Sequence, residues 1–159
     1  MTRSGFVALA GRPNAGKSTL VNRIVGGKVA IVSDKPQTTR RAIRGVVTRP
    51  QRFQLVLTDL PGVQRPRDPL TERMQRRVES ALADSDAVLF VLNGEQQIGP
   101  GDRFIAAAIA NVGVPAVTVL NKIDLLDRPR TVTALDAAAR LGVEGEMLAL
   151  QAEIRAWLA

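Results

Sequence analysis

Hydrophobic residues along this chain form short continuous runs that alternate with stretches of helical periodicity. Three runs are apolar at consecutive positions, as strands buried on both faces of a sheet are. They lie at 6–10, 87–92 and 116–120. Residues 43–48 and 53–59 predict two further strands, joined by a turn around Pro50.

The stretches of helical periodicity stand between these strands. In residues 70–83, an apolar side chain recurs every four residues at Leu70, Met74, Val78 and Leu82. The pattern predicts further helices at 20–25, 102–111, 131–141 and 147–158. Alternation of this kind predicts an α/β fold, a three-layer sandwich with a mainly parallel sheet and helices on both faces.

The motif GRPNAGKS, residues 11–18, lies between the first strand and the first helix and fits GxxxxGK[ST]. A loop in this position turns backbone N–H groups towards an anion at a helix N-terminus. Lys17 can reach the β- and γ-phosphates, and Ser18 can ligate Mg²⁺. A chance glycine-rich turn would rarely match every fixed position in this context. We therefore predict a P-loop NTPase whose phosphates contact Gly11, Arg12, Pro13, Asn14, Ala15, Gly16, Lys17, Ser18 and Thr19.

The sequence DLPGV follows the strand at 53–59 and forms a DxxG pattern. The Asp59 carboxylate can hold Mg²⁺ through a coordinated water, and the Gly62 N–H can meet a γ-phosphate. An ordinary turn would explain the pattern if it stood alone. Behind a phosphate loop, it predicts that Leu60, Pro61 and Val63 belong to the nucleotide site as well.

The sequence NKID at the end of the strand at 116–120 predicts which base is bound. The Asp124 carboxylate can accept hydrogen bonds from guanine N1–H and from its exocyclic amine, whereas adenine would leave it unsatisfied. The stem of Lys122 can lie along the purine face, and Asn121 completes the motif. A polar strand end is the simpler alternative, but the order of the three motifs favours GTP over ATP.

Composition narrows the function classes further. The 159 residues fit one domain. Hydrophobic residues make up 45% of the sequence but aromatic residues only 3%, which indicates an aliphatic core. The absence of Cys and His excludes disulfides, thiolate metal sites and imidazole bases. The net charge of +7 suits phosphate or nucleic acid but equally fits an ordinary solvated surface. The sequence starts without a signal-peptide pattern, and its apolar runs are all much shorter than the roughly 20 residues that a membrane span needs. We therefore expect a soluble protein.

The motifs GRPNAGKS, SDKPQTTR, DLPGV and NKID, in this order, resemble the Era family of GTPases, with SDKPQTTR as the specific part. The Der and MnmE groups are the near alternatives. The resemblance implies slow hydrolysis of GTP to GDP and a role in small ribosomal subunit assembly. It implies small-subunit rRNA and precursor ribosomal particles as partners, without DNA. The implied location is the cytoplasm, with peripheral association at the inner face of the cell membrane.

The resemblance also assigns roles to residues. It places catalysis on Asn14, Lys17, Thr39 and Gly62, and Mg²⁺ on Ser18, Thr39 and Asp59. A threonine such as Thr39, next to Thr38, would complete the Mg²⁺ shell only when a γ-phosphate is bound. Val63 replaces a water-orienting glutamine, and the resemblance implies that Asn14 helps to hold K⁺ instead. Loop capping is the simpler role for Asn14.

We expect the chain to differ from the Era pattern in two respects. We expect residues 1–159 to be a GTPase domain without the family's C-terminal KH-type RNA-binding domain. No strand fits between Gly142 and Met147, so we also expect the last strand and the SAK-like loop to be missing. Two other function classes stay open: a nucleotide-responsive binding module with little hydrolysis, and an ATP-dependent kinase or ATPase.

Overall fold

The fold is given by a computed structural model in which residues 3–12, 15–26, 43–60 and 72–149 are described. The strands are β1 (Arg3–Ala10), β2 (Ile43–Arg49), β3 (Phe53–Asp59), β4 (Ala87–Asn93), β5 (Ala116–Asn121) and β6 (Gly145–Ala149). The helices are α1 (Lys17–Val25), α2 (Glu72–Ala83), α3 (Pro100–Val112) and α4 (Arg128–Ala139), with a 3₁₀ turn at Ile123–Leu125.

The described strands form one sheet in the order β2-β3-β1-β4-β5-β6. Only β2 runs antiparallel to its neighbour, and the other pairs are parallel. The carboxyl ends of β1, β3, β4 and β5 therefore meet at one edge of the sheet, where ligands bind in open α/β folds. The expected mainly parallel sheet is confirmed.

Helices cover both faces of the sheet. On one face, Leu20 and Val21 of α1 pack against strand residues that include Leu9 and Val91. On the other face, helices α2, α3 and α4 bury side chains against alternate strand positions such as Phe90. Strand β4 is thus buried on both sides, which explains its continuous apolar run.

Helices α3 and α4 begin earlier than the periodicity predicted. Each has a proline in its first turn, where the missing N–H costs nothing and the fixed φ favours the helix. The Asp127 side chain caps α4 by accepting a hydrogen bond from the Arg130 N–H at 2.9 Å. Among the described helices, none combines the length and apolarity that a membrane crossing requires.

The expectation that the sheet lacks its last strand is wrong. Strand β6 pairs in parallel with β5, from Ala116 opposite Gly145 to Leu120 opposite Ala149. Its residues include Glu, Met, Leu and Ala, which favour helices, so local propensity predicted a helix from Met147. Pairing with β5 overrides that propensity, and a side chain at Gly145 would clash with the Ala116 carbonyl. The SAK-like loop and residues 150–158 of the expected helix lie outside the described residues.

Candidate nucleotide-binding site

The phosphate loop joins the centre of the sheet to α1, and two of its glycines are required by geometry. Gly11 and Gly16 have φ of 154° and 93°, a region that side chains disfavour. An added Cβ at Gly11 would clash with the Val91 carbonyl, and one at Gly16 with the Asn121 amide. The backbone at these two glycines therefore lies close against Val91 of β4 and Asn121 of β5. Ser18 and Thr19 follow in the first turn of α1, both exposed.

Lys17 is the first residue of α1, and its side chain extends back across the phosphate loop. Its Nζ donates a hydrogen bond to the Gly11 carbonyl at 2.5 Å, and the side chain is half-buried. Burial lowers the pKa of the Lys17 amine below its ordinary value of 10.5; Asp59 opposes this change and Arg44 adds to it. The loop therefore holds a partly desolvated amine, which suits a residue that binds phosphate oxygens.

Asp59 ends β3 next to the start of the phosphate loop. It lies opposite Leu9 in the sheet, and the next residue, Leu60, donates its N–H to the Leu9 carbonyl at 3.0 Å. Its carboxylate forms an ion pair with Arg44 of β2, whose Nε is 2.5 Å from Oδ2. Asp59 and Ser18 supply hard oxygen donors of the kind that Mg²⁺ prefers.

The NKID residues meet the phosphate loop through a direct hydrogen bond. The Asn121 side-chain amide donates to the Ala15 carbonyl at 3.0 Å. Lys122 has a φ of 64°, which is uncommon outside glycine, and its Nζ lies 4.0 Å from Glu95. Asp124 follows in the 3₁₀ turn and is exposed. The fold thus places Asn121 of the NKID motif directly beside the phosphate loop.

Comparison with known proteins identifies the family of this site. A family model described as 50S ribosome-binding GTPase matches residues 6–122, a range that holds the phosphate loop, Asp59 and Asn121. The chain belongs to this GTPase family.

Relatives within the GTPase family include Era proteins. GTPase Era of Nocardioides sp. is 49% identical over 143 residues, which are 89% of this chain and 45% of that protein. Era in complex with MgGDPNP and nucleotides 1506–1542 of 16S ribosomal RNA matches with a TM-score of 0.69 and 31% identity over 96% of this chain. An Aquifex aeolicus Era variant bound to GDP·AlF₄⁻ matches with a TM-score of 0.71 and 32% identity over 95%.

These matches confirm the resemblance to Era and the P-loop fold. The chain spans 45% of the curated relative's length and 52% of each of these two Era structures.

The predicted site residues divide into two groups. Those among the described residues lie in the phosphate loop and the first turn of α1, at the end of β3, and at the end of β5 with the 3₁₀ turn after it, and their roles in binding stay predictions, namely Gly11, Arg12, Ala15, Gly16, Lys17, Ser18, Thr19, Asp59, Leu60, Asn121, Lys122 and Asp124. The others lie outside the described residues and stay predictions, namely Pro13, Asn14, Thr38, Thr39, Pro61, Gly62 and Val63.

The sequence did not predict two residues that lie at the site, Arg44 and Asp102. Arg44 forms an ion pair with Asp59 but belongs to no motif, and nothing in its sequence context distinguishes it from other arginines. Asp102 forms an ion pair with Arg12 of the phosphate loop. The sequence does contain a pattern that indicates a helix start here. A glycine, a proline and then an acidic residue two positions later, as in Gly99, Pro100 and Asp102, are typical of a capped helix N-terminus.

Proposed function

We propose that this chain binds guanine nucleotides with Mg²⁺, hydrolyses GTP and acts as a conformational switch. The main support is the hydrogen bond from Asn121 to the Ala15 carbonyl, because it joins the phosphate loop to the base-selective residues. A phosphate loop alone would fit any nucleoside triphosphate. A phosphate loop that contacts an NKID motif, in a chain of the GTPase family, favours GTP.

The Mg²⁺ ion of this proposal would be held by Asp59 and Ser18 together with the phosphates. In residues 3–12, 15–26, 43–60 and 72–149, no three acidic, His or Cys side chains gather into a cage. A hard ion that shares nucleotide phosphates needs only one or two protein ligands. The ion would neutralise phosphate charge, while Lys17 offers its ammonium to the same oxygens.

The proposed partner is small-subunit ribosomal RNA in a precursor particle. Support comes from the 49% identity to Era and from the Era complex that contains 16S ribosomal RNA. The family description instead names the 50S ribosome, so we base the choice of subunit on Era alone. A cytoplasmic location with peripheral membrane association, and K⁺ bound near Asn14, remain parts of the proposal that rest on the resemblance.

A nucleotide competition and a single-turnover assay test this function. Labelled GDP bound to the chain should be displaced by GTP and not by ATP, and displacement by both equally would contradict the role of Asp124. Phosphate release from bound GTP should then be measured with Mg²⁺ in K⁺ and in Na⁺ buffers. Release in neither buffer would leave a nucleotide-responsive binding module, and faster release in K⁺ would support the proposed second cation.

The ion pair between Arg44 and Asp59 predicts a competition with Mg²⁺. We expect Arg44→Gln to lower the Mg²⁺ concentration that half-maximally slows GDP release by about two- to fivefold, since the partly exposed guanidinium no longer shares the carboxylate. GDP release is measured against a Mg²⁺ titration. Arg49→Gln, exposed at the far end of β2, is the matched control. A higher Mg²⁺ requirement in Arg44→Gln would show that the arginine assists the ion.

A further inference from the structure

The side chain of Arg12 leaves the phosphate loop and extends towards the start of α3. Its Nε lies 2.9 Å from Asp102 Oδ2, and its Nη2 donates to the Gln97 carbonyl at 2.8 Å. Both contacts use the planar fork of the guanidinium, which fits two acceptors at once. Arg12 is therefore held by Gln97, in the segment between β4 and α3, and by Asp102 of α3, although its place in the GRPNAGKS motif predicts contact with the nucleotide.

Asp102 is a buried charge that contacts Gly99 of this segment and Arg12 of the phosphate loop. Its side chain is only 2% exposed, and the same Oδ2 also accepts the Gly99 N–H at 2.9 Å. It stands in the first turn of α3, where the helix dipole favours an anion. Removing Arg12 would therefore leave the Asp102 carboxylate buried without its compensating charge, which ties the arginine to this position.

Glycines shape the surface on which Arg12 lies. A Cβ at Gly99 would come 3.2 Å from Arg12 Nη1, tighter than ordinary packing. At Gly101 the nearest Arg12 atom would be 3.6 Å away, an ordinary contact. The start of α3 is therefore open enough for the arginine to lie directly against its backbone.

The segment between β4 and α3 also contacts Asn121 of the NKID motif. The Gly94 N–H donates to the Asn121 carbonyl at 2.9 Å, and the Asn121 amide in turn binds the Ala15 carbonyl. Residues 94–99 together with Asp102 thus connect to the phosphate loop at two points, the first by direct contact and the second only through Asn121. One is Arg12 near its beginning, and the other is Ala15 near its end.

We propose that Arg12 and Asp102 are positioning residues of the nucleotide site, and that neither contacts phosphate. Asp102 holds Arg12, and through it the first turn of the phosphate loop, against α3. The loop N–H groups then need little reordering when an anion binds, which raises affinity through preorganisation. This inference rests on the proposed binding of guanine nucleotides.

Single and double variants of the full chain test the inference, with fluorescently labelled GDP as the probe. Arg12→Ala and Asp102→Asn should each raise the GDP dissociation constant about tenfold, and the double variant should be no weaker than the weaker single variant. Arg12→Lys should fall between wild type and Arg12→Ala, because one ammonium cannot reproduce the fork. Arg103→Ala, an exposed neighbour on α3, is the control and should bind GDP as wild type does.

Urea unfolding of the same nucleotide-free variants separates positioning from other roles. Weaker GDP binding in Arg12→Ala but not in Asp102→Asn would show direct phosphate contact and overturn the inference. If the variants had lower unfolding free energies but unchanged GDP affinity, the Arg12–Asp102 pair would only stabilise the start of α3, and the inference would be overturned. Additive effects on GDP affinity in the double variant would do the same. If wild type itself binds no GDP, the proposed function fails first.

Discussion

Replacing Lys17 by Met should raise the GDP dissociation constant by about 100-fold, because the phosphates lose a charged donor in a partly desolvated loop. The amine is already held in the loop by its 2.5 Å hydrogen bond to the Gly11 carbonyl, so little ordering is needed for it to reach phosphate. Titration of labelled GDP measures the loss. Arg23→Met, an exposed position later in α1, is the control and should bind GDP normally.

The same variant should not lose stability, which distinguishes a binding role from a structural one. Burial lowers the pKa of Lys17, so the folded nucleotide-free protein disfavours the ammonium that the unfolded chain accepts freely. Below the lowered pKa this cost is fully present, and there Lys17→Met should unfold at the same or a higher urea concentration than wild type. Functional sites commonly carry such a cost in stability.

The pH dependence of stability follows from the lowered pKa. Between that pKa and the ordinary value of 10.5, the unfolded chain binds more protons at Lys17 than the folded protein, so wild type gains stability as pH rises. The Met variant lacks this gain. The difference in unfolding free energy between the two should therefore shrink towards pH 10.5, measured by urea unfolding at several pH values. A difference that grows with pH would contradict the role of burial.

The sequence predicted the fold well because its strongest patterns reflect burial. Strand β4 is apolar at consecutive positions since both of its faces are covered, and the phosphate loop has glycines where a Cβ would clash. Strand β6 was missed for the opposite reason. Four of its five residues favour a helix locally, and they become a strand only through pairing with β5, which no local pattern records.

For the site, the sequence identified residues by motif but could not show where their side chains extend. Arg12 stands inside GRPNAGKS, yet its guanidinium lies on Asp102, ninety positions later in the chain. Arg44 lies on Asp59 through the antiparallel pairing of β2 with β3. Both contacts depend on tertiary structure, and a motif specifies only the backbone position of each residue.

Replacing Asp124 by Asn should reverse the base preference of the site. Guanine offers two N–H donors to a carboxylate, whereas xanthine carries a carbonyl in place of the amine and would accept from the new amide. We expect GDP affinity to fall by about 100-fold or more and XDP to bind more tightly than GDP. Competition of GDP and XDP against a labelled nucleotide measures the change.

The chain offers a close control three residues further on. Asp127 undergoes the same chemical change in Asp127→Asn, but its carboxylate caps α4 through the Arg130 N–H at 2.9 Å and an asparagine can cap as well. This variant should keep wild-type preference for GDP. If Asp124→Asn also kept that preference, the carboxylate would not contact the base, and the choice of GTP over ATP would have to come from elsewhere in the site. A reversal confined to Asp124→Asn would instead place the guanine edge at that carboxylate, next to the phosphate loop that Asn121 holds.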